Sequence, residues 1–205
     1  MTRDAGILLL VLLMPGISFA RGPARPSGLA LQPLGKPSRA ALEQAKAGLE
    51  KTYHVTVTLL PVQPLPKEAW YAPRNRWRAD RLLDSLEAKT DLSFDKVLAV
   101  TERDISVTKG PHPDWGIFGL AQVGGRPAVV STFRLRRGRT SETLFSDRLL
   151  KVVFHEAGHL FGLDHCPMPG CLMEDARGTL ATVDAGGGTF CARCDAALRA
   201  QGVLR

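Results

Sequence analysis

The sequence is defined first by what it has little of. Aromatic residues are 6% of its 205 positions, and no cysteine occurs before position 166. No internal repeat is visible. Only one stretch, at the N-terminus, is apolar enough to be membrane-active, which excludes a multi-span membrane protein. Twenty Gly and fourteen Pro follow no collagen-like period, so a fibrous chain is excluded as well. Acidic residues are in deficit, 20 against 27 Lys and Arg, for a formal charge of +7. That balance permits anionic partners but speaks to solubility and encounter rather than to function. No recognised nucleic-acid motif accompanies it. With 44% hydrophobic and 23% charged residues, the chain is near the globular average and suits one ordinary domain.

Arg3, the apolar run Ala5 to Met14, the break at Pro15-Gly16 and the small residues Ser18 and Ala20 form the three parts of a secretory signal. The run is too short to span a bilayer. The expected organisation is a signal peptide over 1–20, a Pro- and Gly-rich flexible lead-in over 21–37, and one domain over 38–205. The protein is then exported, periplasmic or secreted, with no stable membrane insertion after cleavage. A misassigned start codon would make it cytoplasmic.

Ser38 reads as an N-cap, and Leu42, Ala45 and Leu49 recur at helical spacing over Arg39 to Lys51. Val55, Val57 and Leu59 alternate with threonines as in a strand. A second helix is expected over Arg76 to Lys89 and a short strand over Val97 to Thr101. Ile117 to Val123 and Ala128 to Phe133 read as strands joined around Gly124-Gly125. Arg134, Arg136, Arg137 and Arg139 read as a solvated basic loop. A third helix should run from about Phe145 to Phe161 and stop at Gly162, and a short one lie near Cys191 to Ala200. The pattern suggests an α+β or α/β domain with a small C-terminal lobe.

The chemistry is concentrated in His155-Glu156-Ala157-Gly158-His159-Leu160-Phe161-Gly162-Leu163-Asp164-His165. Histidines four apart on a helix project from one face and suit a single tetrahedral zinc ion. Gly162 permits the left-handed turn that ends a helix, so the chain can return and present His165. Three neutral histidines leave one coordination position open, the layout of a catalytic site. Glu156 beside the first ligand is then the general base and acid for a water made acidic by zinc. His54 and His112 lie in unpatterned contexts and read as surface or packing residues. Asp164 reads as a surface residue in preference to a partner that orients a ligand histidine.

Cys166, Cys171, Cys191 and Cys194 form two short-spaced pairs. That spacing favours a structural zinc that staples the C-terminal lobe. Two disulfides are the competing reading, because exported proteins oxidise their thiols. A redox Cys-x-x-Cys is the weakest, since no thioredoxin-like context surrounds it.

His155 to Cys194 resembles the archaemetzincins, a branch of the metzincin zinc proteases. Their pattern runs HExxHxxGxxHC, four residues, CxM, seventeen residues, CxxC, and every fixed position is met. Weaker similarity reaches upstream through 78–83, 100–104 and 128–135. The resemblance implies a metzincin-like zincin fold: a mixed, mostly parallel sheet with an active-site helix and a small zinc-stapled lower lobe. It implies a zinc metallopeptidase with two zinc ions, one catalytic and one structural. Met173 would lie in a tight turn beneath the catalytic histidines, and Ile117 to Val123 would be an edge strand onto which a peptide adds. The expected partner is a peptide or protein substrate, with no nucleic acid, and the protein is expected to be a monomer. No cysteine precedes the histidines, which excludes a cysteine-switch propeptide. Tyr53 and Tyr71 lie far upstream, so no tyrosine is assigned to the site. The alternative function is a zinc-stabilised binding module with little turnover, and the intact Glu156 argues against it.

Overall fold

The computed structural model describes residues 27–205; the leader read over 1–20 and the first six residues of the lead-in lie outside them. The rest of the lead-in is corrected at once. Ser27–Leu34 is a strand, β1, hydrogen-bonded on both sides within the main sheet. Its residues show no alternation because both of its faces are covered, as in parallel sheets generally. Leu29 and Leu31 enter one core, Ala30 and Leu34 the other. Gln32 is also buried, its amide donating to the carbonyls of Pro33 and Pro61.

Helix α1 (Arg39–Thr52) starts where Ser38 accepts the Ala41 N–H, and it buries Leu42, Ala45 and Leu49. Strand β2 (Val55–Leu59) returns parallel to β1, so β1, α1 and β2 form a crossover unit. Proline-rich chain then leads to two short strands, β3 (Trp70–Tyr71) and β4 (Arg76–Arg78). The helix expected from Arg76 begins only at Ala79: α2 is Ala79–Lys89. Its first three expected residues pair instead as β4, Trp77 lying opposite Ile105. Strand β5 (Lys96–Thr101) pairs with β1, and β6 (Ile105–Lys109) forms a hairpin with β7 (His112–Ile117). Strand β8 (Gly119–Ala121) then pairs antiparallel with β9 (Pro127–Ser131) across the expected Gly124-Gly125 turn.

The sheet order is β2-β1-β5-β9-β8, parallel except for β8, with a second sheet β3-β4-β6-β7. This is the mixed sheet the resemblance implies. Helix α3 (Glu142–Leu160) packs with α1 on one face around Leu31, Leu98, Val130 and Leu149, and α2 covers the other around Val97, Ala99 and Val129. Each leucine so enclosed contributes roughly 1.5–3 kcal/mol. Beyond α3 the chain is mostly loop, carrying α4 (Leu180–Ala185) and α5 (Ala192–Ala200). Helix α4 is too short to show a period in the sequence.

The basic loop also needs correction at one position. Arg134 is buried, donating through two nitrogens to Asp104, which Arg76 also contacts. Arg137 and Arg139 are exposed as expected, and Arg136 is exposed but paired with Glu142.

Candidate metal centres and active-site cleft

Helix α3 presents His155 and His159 on one face, their Nε2 atoms 3.0 Å apart. The helix ends at Gly162, whose φ of +89° favours a residue without Cβ. The chain turns there and brings His165 back, its ring centroid 5.3 Å from that of His155 and 4.9 Å from that of His159. One ring nitrogen from each of the three lies within 4.8 Å of the others. His54 and His112 are not in this group; the His112 ring lies tilted against Trp115, their centroids 5.2 Å apart.

Two of the rings are fixed from behind. His155 Nδ1 lies 2.7 Å from the Leu172 carbonyl and His159 Nδ1 2.6 Å from that of Leu163. A carbonyl only accepts, so Nδ1 carries the proton and Nε2 keeps its lone pair toward the common point. Burial lowers the His155 pKa to about 4, helped by His159, and lowers that of His159 as well. Both rings are therefore neutral near pH 7, the protonation state a metal needs. The donor set fits zinc: nitrogens at 2.0–2.1 Å on tetrahedral positions stand about 3.3 Å apart.

Glu156 is 5% exposed, and burial raises its pKa to about 8. Its carboxyl group faces Gly119 of β8 so closely that a Cβ there would collide with it. Gly158 has a similar role underneath. A Cβ on it would stand 2.5 Å from the Met173 sulfur, and Met173 is fully buried. Met173 thus packs against the histidine-bearing helix at Gly158. Tyr53 backs the same helix, its hydroxyl donating to the Phe154 carbonyl, but it does not line the cleft.

The four cysteines converge separately. Their Sγ atoms lie within 4.8 Å of one another, those of Cys166 and Cys191 being 3.8 Å apart. A disulfide bond is about 2.05 Å long, and all four are free thiols. Sulfurs 2.3 Å from a tetrahedral zinc stand about 3.8 Å apart, so this group also fits the metal. The Arg193 guanidinium donates to Cys166 Sγ and the Cys191 N–H to Cys171 Sγ. Both contacts suit thiolates.

The histidines open on a cleft of about 350 Å³. Strand β8 is the edge of the main sheet and one wall of that cleft; the edge strand expected over Ile117 to Val123 is cut to Gly119–Ala121, because Ile117 ends β7 and pairs with Ile105 in the second sheet. Asp164 is exposed at its rim. Several lining residues carry no signal in the sequence. Trp115 and Lys109 of the β6–β7 hairpin approach the opposite wall, Lys109 pairing with Asp175 at 3.4 Å and the Trp115 ring lying against Gly178. Contacts between loops so far apart leave no local pattern. Gly158 did leave a trace, because glycine inside a helix costs about 1 kcal/mol and asks for a packing reason.

A mixed sheet backed by a helix with two histidines, a third histidine beyond its end and a glutamate beside the first define the class, a zinc-dependent metallopeptidase. The sequence model of peptidase family M54 matches residues 58–200. Archaemetzincin of Halobacterium salinarum is 32% identical over 169 residues, covering 79% of this chain and 94% of its own. That of Pyrococcus horikoshii is 34% identical over 161 residues, covering 75% and 82%. Among solved structures, archaemetzincin of Methanopyrus kandleri superposes with a TM-score of 0.73 at 28% identity, covering 89% of this chain and 99% of that one. Archaemetzincin of Archaeoglobus fulgidus gives 0.71 at 28% identity, covering 83% and 99%. The chain belongs to peptidase family M54, the archaemetzincins.

Proposed function

We propose that this metallopeptidase holds its catalytic zinc through His155, His159 and His165 and uses Glu156 as general base and acid. The observation that carries the reading is the convergence of three ring nitrogens, two of them on rings pinned by backbone carbonyls. Zinc bound there supplies a Lewis acid that polarises a peptide carbonyl and makes water acidic. The chain supplies the rest. The free edge of β8 aligns an extended peptide by strand addition. The apolar lining, Phe118 to Ala121 with Val152 and Val183, excludes bulk water from the scissile bond. The Glu156 carboxylate takes the proton of the attacking water and returns it to the leaving amine. A cation beside it favours the ionised form that a base requires, against the burial that raises its pKa in the protein alone.

Cys166, Cys171, Cys191 and Cys194 hold a second, structural zinc, closed by four thiolates. Residues 1–20 are a secretory leader cut after Ala20, leaving six residues before β1 in the exported protein. Among the described residues no helix is long and apolar enough to cross a membrane. Membership of a peptidase family favours turnover over the binding-module alternative.

The deciding experiment is Glu156→Gln in the zinc-loaded protein, assayed on a peptide library with metal counted in parallel. Two zinc ions per chain are expected in parent and variant, with hydrolysis reduced on the order of 10²–10⁴-fold in the variant. Cleavage at the parent rate would remove Glu156 from the mechanism. A count of one zinc would remove one of the two sites.

A further inference from the structure

Lys96 opens β5, on the sheet face beneath the end of the histidine-bearing helix. Its ammonium donates to the Leu160 carbonyl at 2.7 Å and the Gly125 carbonyl at 2.7 Å, with the Gly124 carbonyl at 3.4 Å. Leu160 is the last residue of α3. Gly124 and Gly125 form the turn between β8 and β9. The same turn touches the helix directly, since the Gly124 N–H donates to the His159 carbonyl at 2.8 Å. The ammonium also lies 5.7 Å from the Phe161 ring centroid.

Three donors on one ammonium meet three carbonyls from two elements that share no other covalent or strand connection there. A cation at a helix C-terminus is favourable in its own right, because the last carbonyls carry partial negative charge. Remove the cation, and the Leu160 and Gly125 carbonyls face a common point with no donor between them. Their mutual repulsion would open the turn away from the helix and pull on the Gly124–His159 bond. One end of β8 hangs on that turn, and β8 is the strand against which a peptide would lie.

We infer that Lys96 is a positioning residue for the peptidase reaction, clamping the last turn of the His159-bearing helix to the turn that carries the cleft's edge strand. This rests on the proposed roles of β8 and His159. Lys96 touches neither substrate nor metal. It acts by fixing how far the peptide-bearing strand stands from the histidines and Glu156. A displacement of about 1 Å between reacting groups costs up to about 10²-fold in rate, whereas strand pairing itself survives such a shift.

The test compares Lys96→Met and Lys96→Arg with the parent, all zinc-loaded, on one cleavable peptide. For Lys96→Met, kcat is expected to fall at least about tenfold while KM stays within about threefold. Zinc per chain should be unchanged. Lys96→Arg keeps a cation with several donors and should recover most of kcat. A second readout needs no metal: the Gly124 amide should exchange its hydrogen faster in metal-free Lys96→Met than in the metal-free parent. Unchanged exchange would show that no clamp exists. Faster exchange with unchanged kcat would show a clamp of no consequence for the reaction, and equal loss of kcat in both variants would reduce Lys96 to a packing residue. If Lys96→Met does not fold, Lys96→Gln takes its place with the same expected and overturning results. Failure of the parent to bind zinc at the histidines would instead sink the reading of the site, and Gly124 exchange would still decide the clamp.

Discussion

The histidine and cysteine clusters gather metal-donor atoms in two different ways. His155 and His159 stand on a helix packed into the main core and His165 on the loop that follows it, and their cluster opens on a cleft. The cysteines come from loops and one helix start, and three of the four are buried in a small core of their own with Met173. Two of the three histidines are therefore held in place before any metal arrives, because α3 is held by Leu149, Val153 and Leu160 and by Arg148, which donates to Asp184 of α4 and to the Leu135 carbonyl. The second is built mostly from loop, with Cys166, Cys171 and Cys194 packed against Met173, Leu163 and Phe190, and α5 anchored to the main core through Leu198. A metal at the histidines adds chemistry to a formed structure, whereas a metal at the cysteines is part of what forms the structure. Met173 couples the two, lying under Gly158 on one side and among the cysteines on the other.

The comparison breaks most visibly if the cysteines are removed. Cys191→Ser with Cys194→Ser should cost one zinc and unfold the C-terminal lobe, since structural zinc contributes on the order of 10 kcal/mol. Thermal melts with zinc analysis check this, and a variant that melts with the parent would make the second site dispensable. His159→Ala should do the reverse. It loses the other zinc and nearly all hydrolysis, while the cysteine-bound zinc stays and the lobe remains folded. Gly158→Ala tests the coupling. Its Cβ must displace the Met173 sulfur, an overpacking worth roughly 1–3 kcal/mol, so both stability and kcat should fall; an unchanged melt would separate the two sites mechanically.

The smallest signal is a slope with pH in the metal-free protein. Burial holds the folded Glu156 pKa at about 8, above its ordinary 4.5. The folded chain then keeps a proton that the unfolded chain has released, and stability is lost as pH rises through 8. His155 has the opposite sign: lowered from 6.5 to about 4, it costs stability as pH falls below 6.5. Above pH 6.5 the histidine no longer contributes, and Cys191, lowered from 9.0 to about 6, adds stability as pH rises, opposite in sign to the glutamate. Metal-free Glu156→Gln should therefore gain stability relative to the metal-free parent from pH 6.5 to 8. Equal slopes would mean that Glu156 is not buried as described.

Reading the sequence worked where a pattern is local and failed where burial comes from distant chain. α1 declares itself through Ser38, Leu42, Ala45 and Leu49, and the β8–β9 hairpin through Gly124-Gly125. The strand β1 does not, because Gln32 and Pro33 resemble linker until Pro61 and Val100 are placed beside them. Nor does the burial of Arg134, which depends on Asp104 thirty residues away.

The sequence by itself picked out the donors, since three histidines beside a glutamate and four cysteines at fixed spacing stand out in it, but it left the cysteines open between a zinc and two disulfides. It also carried the resemblance to the family and placed α1, β2, α2, β5, β9 and α3 in order, without β1. Only the tertiary structure decided that residues 27–34 are core and that Gly119 makes room for Glu156. It alone brought Trp115 and Lys109 across the cleft and placed Lys96 at the end of the helix. Ligand spacing within one helix turn is set by covalent geometry. Contacts between segments tens of residues apart arise only once the core has packed them together.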